Sequence, residues 1–203
     1  MFEEHVLTQR QRELIVAAVR LLDRHGINQF TMRALAEEIG LSPMAAYKHF
    51  ENQRDLQLEM WRFCIGELGA FLQEEMAKTA ESAGPMQRFL DLSQHFMAYS
   101  LLHPYRFELL FNHPFIREVW QQQDIDAIRE AVWGLAMELV RQGQAAQAIR
   151  GDLPPQDIVG QSFALVHGAC YLMASERLQR QTHHGTDVLI QQTLESLERI
   201  LRA

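Results

Sequence analysis

Between Ile39 and Phe50 the chain reads Gly-Leu-Ser-Pro-Met-Ala-Ala-Tyr-Lys-His, ten residues without a carboxylate. A short surface of small, apolar and cationic groups suits a polyanion. Met44 and Ala45 can touch thymine methyls or let a helix sink into the major groove. Lys48 can reach a base edge or a phosphate, and Tyr47 and His49 carry hydrogen-bond donors at phosphate distance. Thr31 and Ser42 place hydroxyls and backbone N–H groups at two helix starts, which are natural seats for phosphate. The chemistry this pattern fits is recognition of double-stranded DNA, not turnover. No nucleophile, base and orienting group, and no paired carboxylates, share one helix face.

The flanking residues supply the elements that would hold those groups. Thr31 precedes an apolar-periodic run and can cap it, with Phe30 and Leu35 at the two positions of a hydrophobic staple, so a helix is expected from Met32. Gly40 can take the left-handed conformation that ends a helix, and Gly40-Leu41-Ser42 makes a tight turn. Ser42 as N-cap and Pro43 as first helical residue open a second short helix to about Phe50. Asn52, three residues before Asp55, opens a third. Leu35, Ala36 and Ile39 give the first helix an inner face, and Leu41, Ala46 and Phe50 can meet it. Helices this short need such a shared core to be stable.

This succession of caps and breaks is that of a helix-turn-helix DNA reader. Residues Leu14 to Leu56 resemble the N-terminal DNA-binding domain of tetracycline-repressor-like (TetR) regulators. LIVAAVRLLDRHG is similar to their first helix, and TMRALAEEIGLSPMAAYKHFENQRDL to their second, third and the start of the fourth. The matching positions include Ala17, Ala18, Leu21, Gly26, Thr31, Arg33, Ala36, Gly40, Ser42, Tyr47, His49, Phe50 and Leu56. HPYRFELLF and FALVHGACYL resemble elements of one C-terminal class in that family, marked by a His-Gly pair in its penultimate long helix. Where the family usually has a phosphate-holding lysine this chain has Gln53, and Arg54 beside it can substitute. The resemblance implies an all-α protein of about nine helices. It divides the chain into a helix-turn-helix DNA-binding domain over residues 1–56 and a helical effector-binding and dimerisation domain over 57–203.

Bulk properties agree. The chain has 203 residues, 47% of them hydrophobic, which is enough for a small domain and a larger one. The formal net charge of −7 is uneven. Met1 to Leu56 has seven Lys/Arg and eight Asp/Glu, and Gln57 to Ala203 has twelve and eighteen. Phosphate affinity therefore has to come from geometry at a few positions rather than from a broad cationic field. Met1 to Gln11 holds Glu3, Glu4, His5 and Arg10 in place of a secretory apolar run, so a cytoplasmic protein is expected. Cys64 and Cys170 lack metal-type spacing and read as reduced core residues. The nine histidines show no i, i+4 pair, so neither a metal nor another cofactor is expected.

Beyond the reader, helices are expected from Arg54 to about Ala80, Pro85 to about Leu102, onward to Phe111, Ile125 to about Gln147, and Ile158 to Ala174, with a last one after the polar turn Thr182 to Gly185. The first of these is long enough to carry a shift into the second domain. The helix from Ile158 is apolar nearly all round and has to be buried on more than one side. Ile190, Leu194, Leu197 and Leu201 give the last helix a stripe. Two such hairpins can form a four-helix interface with two-fold symmetry, so a homodimer through the last two helices is expected. That would set two reading helices on a pseudo-palindromic site about 34–36 Å apart. Phe96, Tyr99, His103, Phe107, Trp133, Met137, His167 and Tyr171 are the candidate lining of an effector pocket, mostly aromatic, suited to a neutral aromatic or lipophilic molecule. The competing classes are an enzyme, which turnover of a ligand would reveal, and a helical interaction module without DNA binding, which an electrophoretic shift would separate.

Overall fold

The computed structural model describes residues 7–42, 44, 47–79, 83–114 and 126–202, the side chains of 126–132 excepted. Among these, the long elements are all helical and no strand occurs, as expected for an all-α chain. The α-helices are α1 (Gln9–His25), α2 (Met32–Glu38), α3 (Gln53–Lys78), α4 (Pro85–Leu102), α5 (Pro104–Phe107), α6 (Asp126–Ala145), α7 (Pro155–Ala174), α8 (Arg177–Thr182) and α9 (Thr186–Leu201). They pack as two compact units, Met1–Leu68 with His103–Arg129, and Gly69–Leu102 with Glu130–Ala203. The boundary at residue 68 falls inside α3, twelve residues beyond the Leu56 division read from sequence, and the segment after Leu102 returns to the first unit.

In the first unit α1 opens on a reciprocal cap. Thr8 Oγ1 accepts from Gln11 N at 3.2 Å, and Gln11 Oε1 accepts from Thr8 N at 2.9 Å. Leu14, Ala18 and Leu22 recur on one face and are fully buried. The helix ends at Gly26, whose N–H donates to Leu22 O at 2.8 Å with φ +74° and ψ 167°. That backbone region is essentially restricted to glycine. The Thr31 cap forms as expected, with Oγ1 accepting from Ala34 N at 3.0 Å. Phe30 and Leu35 are both buried, which closes the staple. The helix stops at Glu38. Gly40 turns the chain at φ +68°, and Leu41 N donates back to Ala36 O at 2.8 Å. Asn52 Oδ1 accepts from Asp55 N at 3.0 Å and opens α3, whose Leu56, Met60, Cys64 and Leu68 repeat every four residues with no exposed surface. The expected helix up to Phe111 is α5 followed by a wider π-type turn over Glu108–Asn112. This segment is pinned by Trp61 Nε1, which donates to Leu110 O at 3.2 Å.

In the second unit α4, α7 and α9 pack against one another. Their shared core includes Phe89, Met97, Ile158, Val166, Leu197 and Leu201. The helix α8 was not legible in the sequence. It begins after Glu176 and ends before His183, both left-handed at φ 54° and 59°, so the polar connection contracts to His183–Gly185. The helix α7 buries Ile158, Ser162, Val166, Cys170 and Met173, while Gln161, Ala164 and Tyr171 face solvent. Among the described residues no helix is long and apolar enough to cross a membrane.

Candidate DNA interface and effector site

The reading segment is held from behind. Phe50 is buried in the core of the first unit, and the backbone carbonyl of the residue before it, His49, accepts from Gln11 Nε2 at 3.0 Å. Among the described residues of the segment, Ser42, Met44, Tyr47 and Lys48 lie outward. Met44, 74% exposed, and Tyr47, 49% exposed, are large apolar-bodied groups left in water, and Lys48 and Ser42 are exposed as well. His49 is half-buried. Met44 is helical and Tyr47 to His49 form a turn, whereas Pro43, Ala45 and Ala46 lie outside the described residues. Exposing an unbranched thioether and a phenol side by side costs apolar burial in the isolated protein. A partner surface removes that cost.

The flanking positions complete the face. Thr31 is exposed at the start of α2, with its hydroxyl already engaged as the cap. Arg33, one residue into that helix, has Nε donating to Glu37 Oε1 at 2.9 Å, which raises its pKa. The two side chains are 80% and 64% exposed, so the pair is worth little in water and can be exchanged for a phosphate. Arg54 is exposed on the first turn of α3. Gln53 beside it points to a different task, since its Nε2 donates to Phe30 O at 3.2 Å and ties the start of α3 to the entry of α2.

The candidate effector residues separate into groups. Phe96, Trp133 and His167 come together in the second unit around Phe163, a residue the sequence reading passed over. Phe163 meets Phe96 edge-on at 6.0 Å and Trp133 edge-on at 5.8 Å between ring centroids, and stacks with His167 at 5.1 Å and 29°. The i, i+4 spacing of Phe163 and His167 on α7 was the available signal. Met137, one turn beyond Trp133, is half-buried. Burial lowers the pKa of the His167 imidazole, so the ring is neutral at pH 7. Tyr99 is buried and packs on Phe71 at 5.5 Å, and Tyr171 is 47% exposed on the outer side of α7.

His103 and Phe107 belong to the first unit. Phe107 is buried against Phe111, with centroids 4.9 Å apart. The carbonyl of His103 accepts from Phe107 N at 2.9 Å, and its imidazole pKa is lowered by burial and by the nearby Arg106. Arg106 itself was not legible as a site. Its Nε and Nη2 donate to both carboxylate oxygens of Asp23 at 2.8 and 2.6 Å. Glu67 Oε2 stands 3.8 Å from Nη1, so the guanidinium draws α5 onto α1 and the first-unit part of α3. Cys64 and Cys170 are buried thiols, with pKa values pushed up by burial to about 12 and about 11. Among the described residues no three His, Cys, Asp or Glu side chains are grouped as metal ligands.

The capped α2, the turn at Gly40, the exposed Met44, Tyr47 and Lys48, and a following all-helical unit with an aromatic cluster are the arrangement expected of a helix-turn-helix regulator. Residues 14–60 match the family described as "Bacterial regulatory proteins, tetR family". Over 70 residues the chain is 36% identical to the HTH-type transcriptional regulator BetI of Brucella anthropi, a match covering 34% of this chain and 36% of BetI. The chain thus spans about a third of the length of that relative. A structure of a protein of unknown function from Rhodococcus sp. RHA1 matches the whole of both chains with TM-score 0.79 at 22% identity. RolR in complex with resorcinol matches 95% of this chain and 87% of its own, with TM-score 0.68 at 14% identity. The similarity to tetR-family regulators in sequence lies in the N-terminal helical region, residues 14–60, and the whole-chain likeness is one of fold.

Proposed function

We propose that the protein is a cytoplasmic homodimeric repressor that binds a pseudo-palindromic DNA operator and is released from it by a small aromatic or lipophilic effector. The observation that carries this reading is the outward Met44, Tyr47 and Lys48, held by the buried Phe50 and free of carboxylates from Leu41 to His49. Met44 and Ala45 meet base edges. Tyr47, Lys48 and His49, with Thr31, Ser42, Arg33 and Arg54 around them, meet phosphates and sugars. The division of labour is the one read from sequence, with residues 1–56 reading DNA and 57–203 binding effector and partner. Two subunits pair through α7 and α9, where Ala164 and Tyr171 are exposed on one helix and Val188 on the other.

Effector binding is supported by the aromatic grouping in the second unit, and by the resorcinol complex of RolR, a protein of similar fold. The effector prefers a conformation in which α3 shifts and the two reading segments leave operator spacing. The switch is bounded by the ligand's differential affinity for the two states, typically ~1–3 kcal/mol. The protein carries no catalysis in this scheme. Genome-wide selection of bound DNA by the purified protein tests it. An inverted-repeat motif is the expected recovery, and no enrichment over random DNA overturns the reading.

A further inference from the structure

The rings around Phe163 do more than fill a core. Phe96 is buried, whereas Trp133, Phe163, His167 and Met137 are each half-buried and so keep surface that a small molecule could touch. None of these five side chains carries a formal charge at neutral pH once the imidazole is neutral, so they offer an ionised ligand no ion pair to offset its lost hydration. The two polar features are the indole N–H of Trp133, a donor, and the imidazole of His167, which in its neutral form keeps one donor and one acceptor nitrogen.

We propose that this site takes a neutral phenol-class molecule, its ring against Phe163 and Trp133 and its hydroxyl proton donated to a nitrogen of His167. The proposal rests on the effector reading above and narrows it from aromatic or lipophilic molecules to hydroxylated aromatics. Stacking on the aromatic walls supplies affinity and tolerates varied ring substituents. The hydroxyl supplies selection, because the Nδ1 atom of the half-buried His167 is shut off from water, and facing an ether or a hydrocarbon it loses a hydrogen bond that water does not replace. Carboxylated analogues are rejected by desolvation.

The test uses the purified full-length protein and three probes of nearly one shape, 2-naphthol, 2-methoxynaphthalene and 2-naphthoate, with affinities read by isothermal titration calorimetry. The wild type should bind 2-naphthol about ten-fold tighter than its methyl ether, the worth of one hydrogen bond to a buried group. The naphthoate should bind more weakly still. His167→Phe keeps an aromatic ring stacked on Phe163 and should reduce the naphthol-to-ether preference to within about two-fold while leaving ether affinity nearly unchanged. Equal affinity of wild type for naphthol and ether overturns the proposal, as does a preference that survives in His167→Phe or a failure of the folded wild type to bind any of the three. His167→Gln, which restores a hydrogen-bonding group without the ring, should recover part of the preference, and its failure to do so while remaining folded counts against a hydrogen bond at this position. Operator affinity is measured in parallel. Naphthol binding that leaves it unchanged upholds the site and overturns only the view that its occupant releases DNA.

Discussion

Asp23→Ala should be among the most damaging single changes outside the hydrophobic core. Asp23 receives two charge-assisted hydrogen bonds from Arg106, at 2.8 and 2.6 Å. The Arg106 side chain is only 16% exposed and that of Asp23 29%. Removing one partner of a fully buried pair costs about 3–5 kcal/mol because the other charge is left behind. An exposed pair is worth about 0–1 kcal/mol. This pair lies between those limits, and Glu67 at 3.8 Å from Nη1 retains part of the compensation, so a loss of about 2 kcal/mol is expected. Urea unfolding at fixed protein concentration, followed by circular dichroism, measures it. With m of about 2–3 kcal/mol/M the midpoint should fall by roughly 0.7–1 M. The double variant Asp23→Ala with Arg106→Met should recover much of that loss, since it leaves no stranded guanidinium. A single variant within about 0.5 kcal/mol of wild type, or a double variant no better than the single, would refute the stranded-charge reasoning.

Other outcomes follow from the same geometry. Gly26→Ala puts a methyl group 3.0 Å from the Tyr105 ring at φ +74° and should cost about 1–3 kcal/mol in the same urea assay. An unchanged midpoint would show that the α1 terminus adapts. Burial lowers the pKa of His167 in the folded state, so the unfolded chain binds more protons as pH falls through the ordinary histidine range. This group therefore withdraws stability on acidification from pH 7 towards 5, and a His167→Gln variant should show a flatter midpoint-versus-pH curve over that window. With thiol pKa values near 12 and 11 at Cys64 and Cys170, an aromatic disulfide reagent at pH 8 should label neither in native buffer and both in denaturant. Gln53→Ala should loosen the tie to Phe30 O and weaken DNA binding less than Lys48→Ala does, judged by fluorescence anisotropy.

The first unit was readable because its signals are local. Thr31, Gly40 and Asn52 act on backbone groups within a few residues, so the caps and the turn came out where chain chemistry put them. Pro85 and Pro104 marked helix starts for the same reason, through the missing N–H and the restraint on the preceding residue. What sequence could not give were contacts across long separations. Arg106 meets Asp23 83 residues away, and nothing local in either segment names the other. Phe163 looked like one more apolar residue on an apolar helix until the fold placed Phe96 and Trp133 against it. The helix α8 escaped because its bounds are set by Glu176 and His183 in left-handed conformations that neither residue type announces.

The orientation of the reading segment is tested most directly by Tyr47→Ala with Lys48→Ala in the full-length protein, assayed by fluorescence anisotropy against DNA recovered by selection with the wild type. Both side chains are exposed, so the fold should stand, with the circular dichroism spectrum and urea midpoint unchanged. Operator affinity should fall at least ten-fold, and the dependence of log affinity on log salt should flatten by about one for the lost lysine contact. A folded double variant that binds the same DNA with wild-type affinity and salt dependence would contradict a DNA-reading face at Met44 to His49.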